Sequence, residues 1–291
     1  MEKHNNVVHR LRLKAQARRI ARRALPFVAS LFLATPLAGP VRSTQARGHQ
    51  SVPTYGTEPQ VWRIPVTAAT QPALFAQGTR ELYTELGLQQ QGLSYEVFEK
   101  AYTGFLNLRA KGKLDANRQL LTVADFSLPS TDKRLWVLDL AQKQVLFHTL
   151  VAHGHNSGEN LATSFSNQNE SNMSSLGFYV TDTEYVGKHG RSLKLDGLDL
   201  GFNDNARDRA VVMHGADYVS EDFIRQNGRL GRSLGCPALP MDQYAQIIDT
   251  LGKGSCLFLN GNDPEYQSRY LNTDAAAQVY AAENRTADQA V

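Results

Sequence analysis

Val97, Phe98, Ala101, Tyr102, Phe105 and Leu108 recur at spacings of three and four, which draws one apolar face on a helix. Ser94 precedes that face as an N-cap and Gly112 follows as a stop. A shorter pattern over residues 79–86, ended by Gly87, predicts another helix before it. From Gln119 the period changes. Residues 120–126, 134–139 and 144–153 are short apolar runs, and the four residues between the second and third suit a hairpin. Runs at 177–181, 194–195 and 209–213 predict further strands, the last ending against His214, and 257–259 predicts a strand closing the sheet. Met241, Tyr244, Ala245, Ile248 and Leu251 return to helical spacing; Pro240 opens this segment, and Gly252 and Gly254 stop it. Strands outnumber helices, so the expected class is α+β and strand-dominated. A helical cap at 79–118 should sit on a body at 119–265. Residues 266–291, rich in Ala and Gln, predict a loose helix or a disordered tail. There is no internal repeat.

Composition changes this picture mainly at the N-terminus. A hydrophobic fraction of 42% is enough for a packed core. The formal net charge of +3 is unevenly spread: residues 1–46 hold nine Lys/Arg and one acid, and the remainder holds 22 Lys/Arg against 27 Asp/Glu. The folded part is therefore acidic, which argues against a nucleic-acid partner. In 1–46 a basic run ending at Arg22-Arg23 is followed by 14 mostly apolar residues, 25–38, and then by small residues up to Ala46. This reads as an export leader. The apolar stretch is short of the ~20 residues of a membrane span, and Pro26 and Pro36 interrupt it. The expected location is extracytoplasmic or periplasmic, with no stable span after processing. Residues 47–78, rich in Pro, Thr, Gln and Gly, read as a linker.

The candidate chemistry lies between His214 and Leu239. Cys236 follows Ser233-Leu234-Gly235, a turn in which glycine lets successive N–H groups point one way, as an oxyanion hole requires. An imidazole nearby can take the thiol proton, and 22 positions separate His214 from Cys236. A helix opening at Pro240 would add a slight preference for thiolate. Two other roles for Cys236 stay open: a buried inert thiol, or half of a disulfide with Cys256, the second of two cysteines. His148, His153 and His155 raise the question of zinc. No acid or further His has suitable spacing, so no metal is expected. His153, Asn156, Ser157, Ser164, Ser166 and His189 are polar positions that either line a groove or satisfy backbone groups. Arg225, Arg229 and Arg232 suit peptide carboxylates or a solvated loop.

His214-Gly215 followed by Ser233-x-Gly-Cys236 resembles the signature of the murein L,D-transpeptidase catalytic domain. The resemblance extends to Val151-Ala-His-Gly154, Asn156-Ser-Gly-Glu-Asn160, Ala162-Thr-Ser-Phe-Ser166, Ser174-Ser-Leu-Gly-Phe178, Gly187-Lys-His-Gly190 and Gly201-Phe-Asn-Asp-Asn205, and covers about 93–263. It implies a β-sandwich with capping helices and a catalytic turn opening onto a groove. It also implies Cys236 as nucleophile, His214 as base and then acid, and the Gly215 carbonyl as the group orienting the imidazole, with Asp217 as a rival. The amides of Leu234, Gly235 and Cys236 would form the oxyanion hole, and Ser233 would brace the turn. Apart from the resemblance, the polar positions named above supply the candidate substrate contacts: His153, Ser164, His189 and Arg232. No cofactor is implied. The partners would be peptidoglycan stem peptides, joined through a thioester that an amine of a second stem resolves, and carbapenem-type β-lactams would acylate the same sulfur. Two departures bear on substrate contacts: Leu234 stands where the family often has a second His, and Ala238 where it often has Arg or Asn. An L,D-carboxypeptidase using water, or a wall-binding module without turnover, are the alternatives.

Overall fold

The computed structural model describes residues 70–289 apart from His189, with side chains as far as 285. The expected leader and residues 47–69 of the expected linker lie outside these. Three helices build the cap. The first, α1 (Gln71–Glu85), starts eight residues before the expected Thr79, inside the stretch read as linker. Its polar composition hides a sparse buried face of Phe75, Gly78, Thr79 and Tyr83, and Pro72 stands in the first turn, where a missing N–H costs nothing. The second, α2 (Tyr95–Ala110), matches its expectation: Ser94 Oγ accepts from the Val97 N–H at 3.3 Å, and Gly112 turns the chain at φ +62°. The tail is ordered as a helix, α5 (Thr273–Gln289), whose Ala276, Ala277 and Ala281 are buried. Tyr280 meets Phe75 edge-on at 5.8 Å, over the space left by Gly78.

The body is one eight-stranded sheet. Its strands are β1 (Leu120–Asp125), β2 (Leu135–Asp139), β3 (Gln144–Thr149), β4 (Gly177–Gly187), β5 (Gly190–Gly197), β6 (Val212–Gly215), β7 (Ala238–Leu239) and β8 (Cys256–Asn260). The spatial order is β3-β2-β1-β8-β4-β5-β6-β7, with β1/β8 and β6/β7 parallel and the rest antiparallel. The β2–β3 hairpin is as expected. β8 does not close the sheet; it is a central strand, which explains why all five of its residues are buried. Past the end of β3, Ala152 exchanges backbone hydrogen bonds with Ala238 of β7, so the sheet curls until its two ends nearly meet. The expected two layers are thus parts of one continuous sheet.

Alternation along the strands divides the core. Cys256 and Phe258 face the helices, with Leu121, Val123 and Trp136. Leu257 and Leu259 face the inside of the curl, with Leu135, Val137, Tyr179, Leu195, Met213 and Leu239. A third, smaller cluster joins Ala152 and Ala238 to Ala216, Val219 and Leu230, near the short helix α3 (Glu221–Asn227). The remaining helix, α4 (Tyr244–Leu251), buries Ile247, Ile248 and Leu251 on the inner face.

Candidate active site

The β6/β7 pair joins the two distant sequence stretches. Its parallel register sets His214 against Ala238. Two residues back on each chain, Val212 meets Cys236, and the Val212 N–H donates to Sγ at 3.4 Å. Cys236 therefore lies about 7 Å of strand rise from His214, on the same sheet edge. Met213 between them points into the inner core, so Val212 and His214 share the other face. His214 is buried, and its Nδ1 lies 2.9 Å from the Gly215 carbonyl. A carbonyl only accepts, so Nδ1 carries the ring proton and the Nε2 lone pair is the basic one.

The Ser233–Cys236 turn is held on both sides. Ser233 N–H donates to the His153 carbonyl at 3.0 Å, and the His155 N–H donates to the Ser233 carbonyl at 2.7 Å. Ser233 Oγ donates to the Cys236 carbonyl at 2.6 Å and accepts from the Gly235 N–H at 3.0 Å. The hydroxyl thus braces the turn, and the Gly235 amide, expected in an oxyanion hole, is committed inward. Gly235 has φ +122°, and a Cβ there would lie 2.8 Å from the Met173 carbonyl oxygen, so the position requires glycine. Leu234 points outward, 66% exposed.

Both cysteines are free, and Cys256 is buried on the helix-facing side of β8, which disposes of a disulfide between them in this fold. Cys236 is half-buried. Burial pushes its thiol up; the Val212 N–H, Arg209 and Lys188 oppose that. The helix N-terminus expected just after it is absent, because Pro240 opens a turn and α4 begins only at Tyr244. When protonated, the sulfur can donate its S–H to the Ala210 carbonyl 3.9 Å away.

The expected substrate contacts fare differently. His153 is fully enclosed: Nδ1 meets Arg134 Nη2 at 2.8 Å and Nε2 meets the Gly158 carbonyl at 3.3 Å. It is a neutral core histidine, its pKa pushed down to about 4 by burial and by Arg134, and does not line a groove. Arg232 is 11% exposed and clamps the turn after β3, donating to the carbonyls of His155 and Gly158 and pairing with Glu159 at 2.8 Å. Arg229 pairs with the same Glu159, and Arg225 with Asp222. Ser164 stands on an exposed loop with its amide on the Ser157 carbonyl, and His189 lies outside the described residues. His148 donates to the Lys133 carbonyl and stacks on Trp136. Among the described residues no group of three His, Cys, Asp or Glu could hold a metal ion. The sequence reading passed over Arg209, which sits beside the turn. Its only signal is a charge just ahead of the apolar run leading to His214.

Residues 89–260 match a family described as the L,D-transpeptidase catalytic domain. No curated protein matches the chain. Similar solved structures include L,D-transpeptidase 1 of Mycobacterium tuberculosis (15% identity, TM-score 0.28, covering 49% of this chain and 62% of that one). An L,D-transpeptidase from Mycobacterium smegmatis is similar at 15% identity, TM-score 0.31, 49% and 58% coverage. The helical cell shape determining protein Pgp2 of Campylobacter jejuni is similar at 12% identity, TM-score 0.34, 62% and 63% coverage. The chain thus spans about three-fifths of the length of these proteins.

Proposed function

The chain belongs to the L,D-transpeptidase catalytic domain family, and from that premise we propose that it is an exported cysteine transpeptidase acting on peptidoglycan stem peptides, with Cys236 as nucleophile. The observation that carries this reading is the β6/β7 register, which puts the sulfur against Val212 and one strand repeat from His214, whose tautomer is set by Gly215. The thiol begins protonated. His214 Nε2 takes its proton as Sγ attacks the carbonyl carbon of an L-centre, and the same proton then goes to the amine of the departing D-residue as the C–N bond breaks. An amine of a second stem attacks the thioester, giving its proton to His214. The new amide forms and the sulfur is reprotonated. With the Gly235 amide bonded to Ser233, the Leu234 and Cys236 amides are the donors left for the developing oxyanion. Ser233 and Gly215 hold turn and imidazole in place. The basic leader at 1–46 supports export, and no described helix is long and apolar enough to cross a membrane.

Purified sacculi incubated with the wild type should gain cross-linked muropeptides by mass spectrometry. Cys236→Ala should give none and should also lose the covalent adduct formed with a carbapenem. Cross-linking at the wild-type level by Cys236→Ala defeats the reading. Shortened stems without a new amide, in the presence of a free amine acceptor, assign the thioester to water and make the protein an L,D-carboxypeptidase.

A further inference from the structure

Arg207 and Arg209, two residues apart, use their charges in opposite ways. Arg207 is exposed and bonded to two carboxylates, Asp182 at 2.7 Å and Asp196 at 2.6 Å. Arg209 is half-buried, and among the described residues it makes no salt bridge. Its guanidinium instead meets one serine-rich loop at four points. Nη1 donates to the Ser166 carbonyl at 2.8 Å and to Ser175 Oγ; Nη2 donates to the Met173 carbonyl at 2.7 Å and to Ser171 Oγ at 3.0 Å. The same loop is tied to the turn after β3. Gly154 N–H donates to Ser174 Oγ, Ser174 N–H to Ser157 Oγ, and Asn156 N–H to the Asn172 carbonyl.

This assembly abuts the nucleophile. The missing Gly235 Cβ would lie 2.8 Å from the Met173 carbonyl oxygen and 3.2 Å from Arg209 Nη2. The sulfur itself reaches the carbonyl of Ala210, the next residue, which is held in the left-handed region at φ 53°. A non-glycine residue adopts that conformation only under strain. Two residues of the serine-rich loop, Glu170 and Asn172, are held in the same region, at φ 58° and 54°. We propose that Arg209 is a positioning residue for Cys236: its guanidinium pins loop 166–175 against the back of the 233–236 turn and holds an acid-free positive charge beside the sulfur. This rests on the reading of Cys236 as nucleophile. The role is electrostatic as well as mechanical, because a half-buried cation with no carboxylate partner among the described residues acts on the nearby groups that can become anions, here Tyr179 and Cys236. Among the described residues, the charged and titratable groups around Cys236 are Arg209, Lys188 at the β4–β5 tip, His214 on β6 and Tyr218 after it. Arg209 and Lys188 both favour the thiolate.

The test is the pH dependence of iodoacetamide alkylation of Cys236, located by peptide mass mapping, in the wild type, Arg209→Lys and Arg209→Gln. Thermal unfolding serves as the folding control. Arg209→Gln should move the alkylation midpoint up by about one pH unit and slow the reaction about tenfold at pH 7. Arg209→Lys keeps the charge and loses the fork. It should hold its midpoint within about half a unit, with KM for the stem peptide raised more than kcat is lowered. A folded Arg209→Gln protein whose profile superposes on the wild type overturns the proposal. Should Arg209→Gln not fold, a full-unit rise in Arg209→Lys overturns it equally. The reagent needs no stem peptide. A midpoint shift in a chain that cannot cross-link supports Arg209 and removes the transpeptidase reading; intact cross-linking with no shift does the reverse.

Discussion

Single residues decide whether this site exists. Gly235 combines a positive φ with a backbone oxygen where a methyl group would go. Gly235→Ala should lower stability by roughly 1–3 kcal/mol and slow Cys236 alkylation at pH 7, read by thermal unfolding and by reagent kinetics. His153 acts through protonation. Its folded pKa of about 4 lies below its ordinary 6.5, so between those values the unfolded chain binds a proton that the folded chain refuses. Stability is then fully present above the unfolded value and falls as pH drops toward the folded one. Chemical denaturation should show a loss of about 2 kcal/mol from this residue between pH 7.5 and pH 5, and His153→Gln should flatten that part of the curve. The sequence could not show this. A histidine in a strand-end motif looks the same whether it meets substrate or Arg134, and only burial separates the two. Cys236 and His214 stand out in the sequence because their spacing and flanking glycines form a motif, and the β6/β7 register brings their segments side by side. Arg209 does not stand out, because its partners are carbonyls and hydroxyls 34 to 43 positions away.

Among the elements, those with a dense periodic face were readable. α2 and the β2–β3 hairpin lie where the pattern puts them. Elements that depend on a partner were not. The first half of α1 looks like linker until Tyr280 fills the gap over Gly78, and α5 looks like tail until α1 and α2 receive it. These helices hold one another. Asn107 Nδ2 donates to the carbonyls of Tyr270 and Asn272 at 2.8 and 2.9 Å, just before α5, and Arg109 pairs with Glu283. Truncation after Asn272 should therefore act beyond the tail, uncovering Phe75 and Tyr102. The expected result is a clear drop in Tm and stronger binding of an apolar dye, with little change in Cys236 alkylation at temperatures where the truncated chain stays folded, since α5 packs on the cap and not on β6/β7.

For the whole molecule, the placement of β8 has a temporal consequence. The strand that joins β1 to β4 is contributed by residues 256–260, after the entire segment from His214 to Leu239 has passed. A chain emerging from its N-terminus can first assemble β1, β2 and β3, and separately β4, β5 and β6, as two half-sheets whose facing edges have no partner. Pairing of this kind, distant in sequence, forms late and slowly. The Cys236 sulfur thus acquires its surroundings among the last events of maturation, and a polypeptide interrupted before residue 256 carries the whole His214–Cys236 motif without the sheet that frames it.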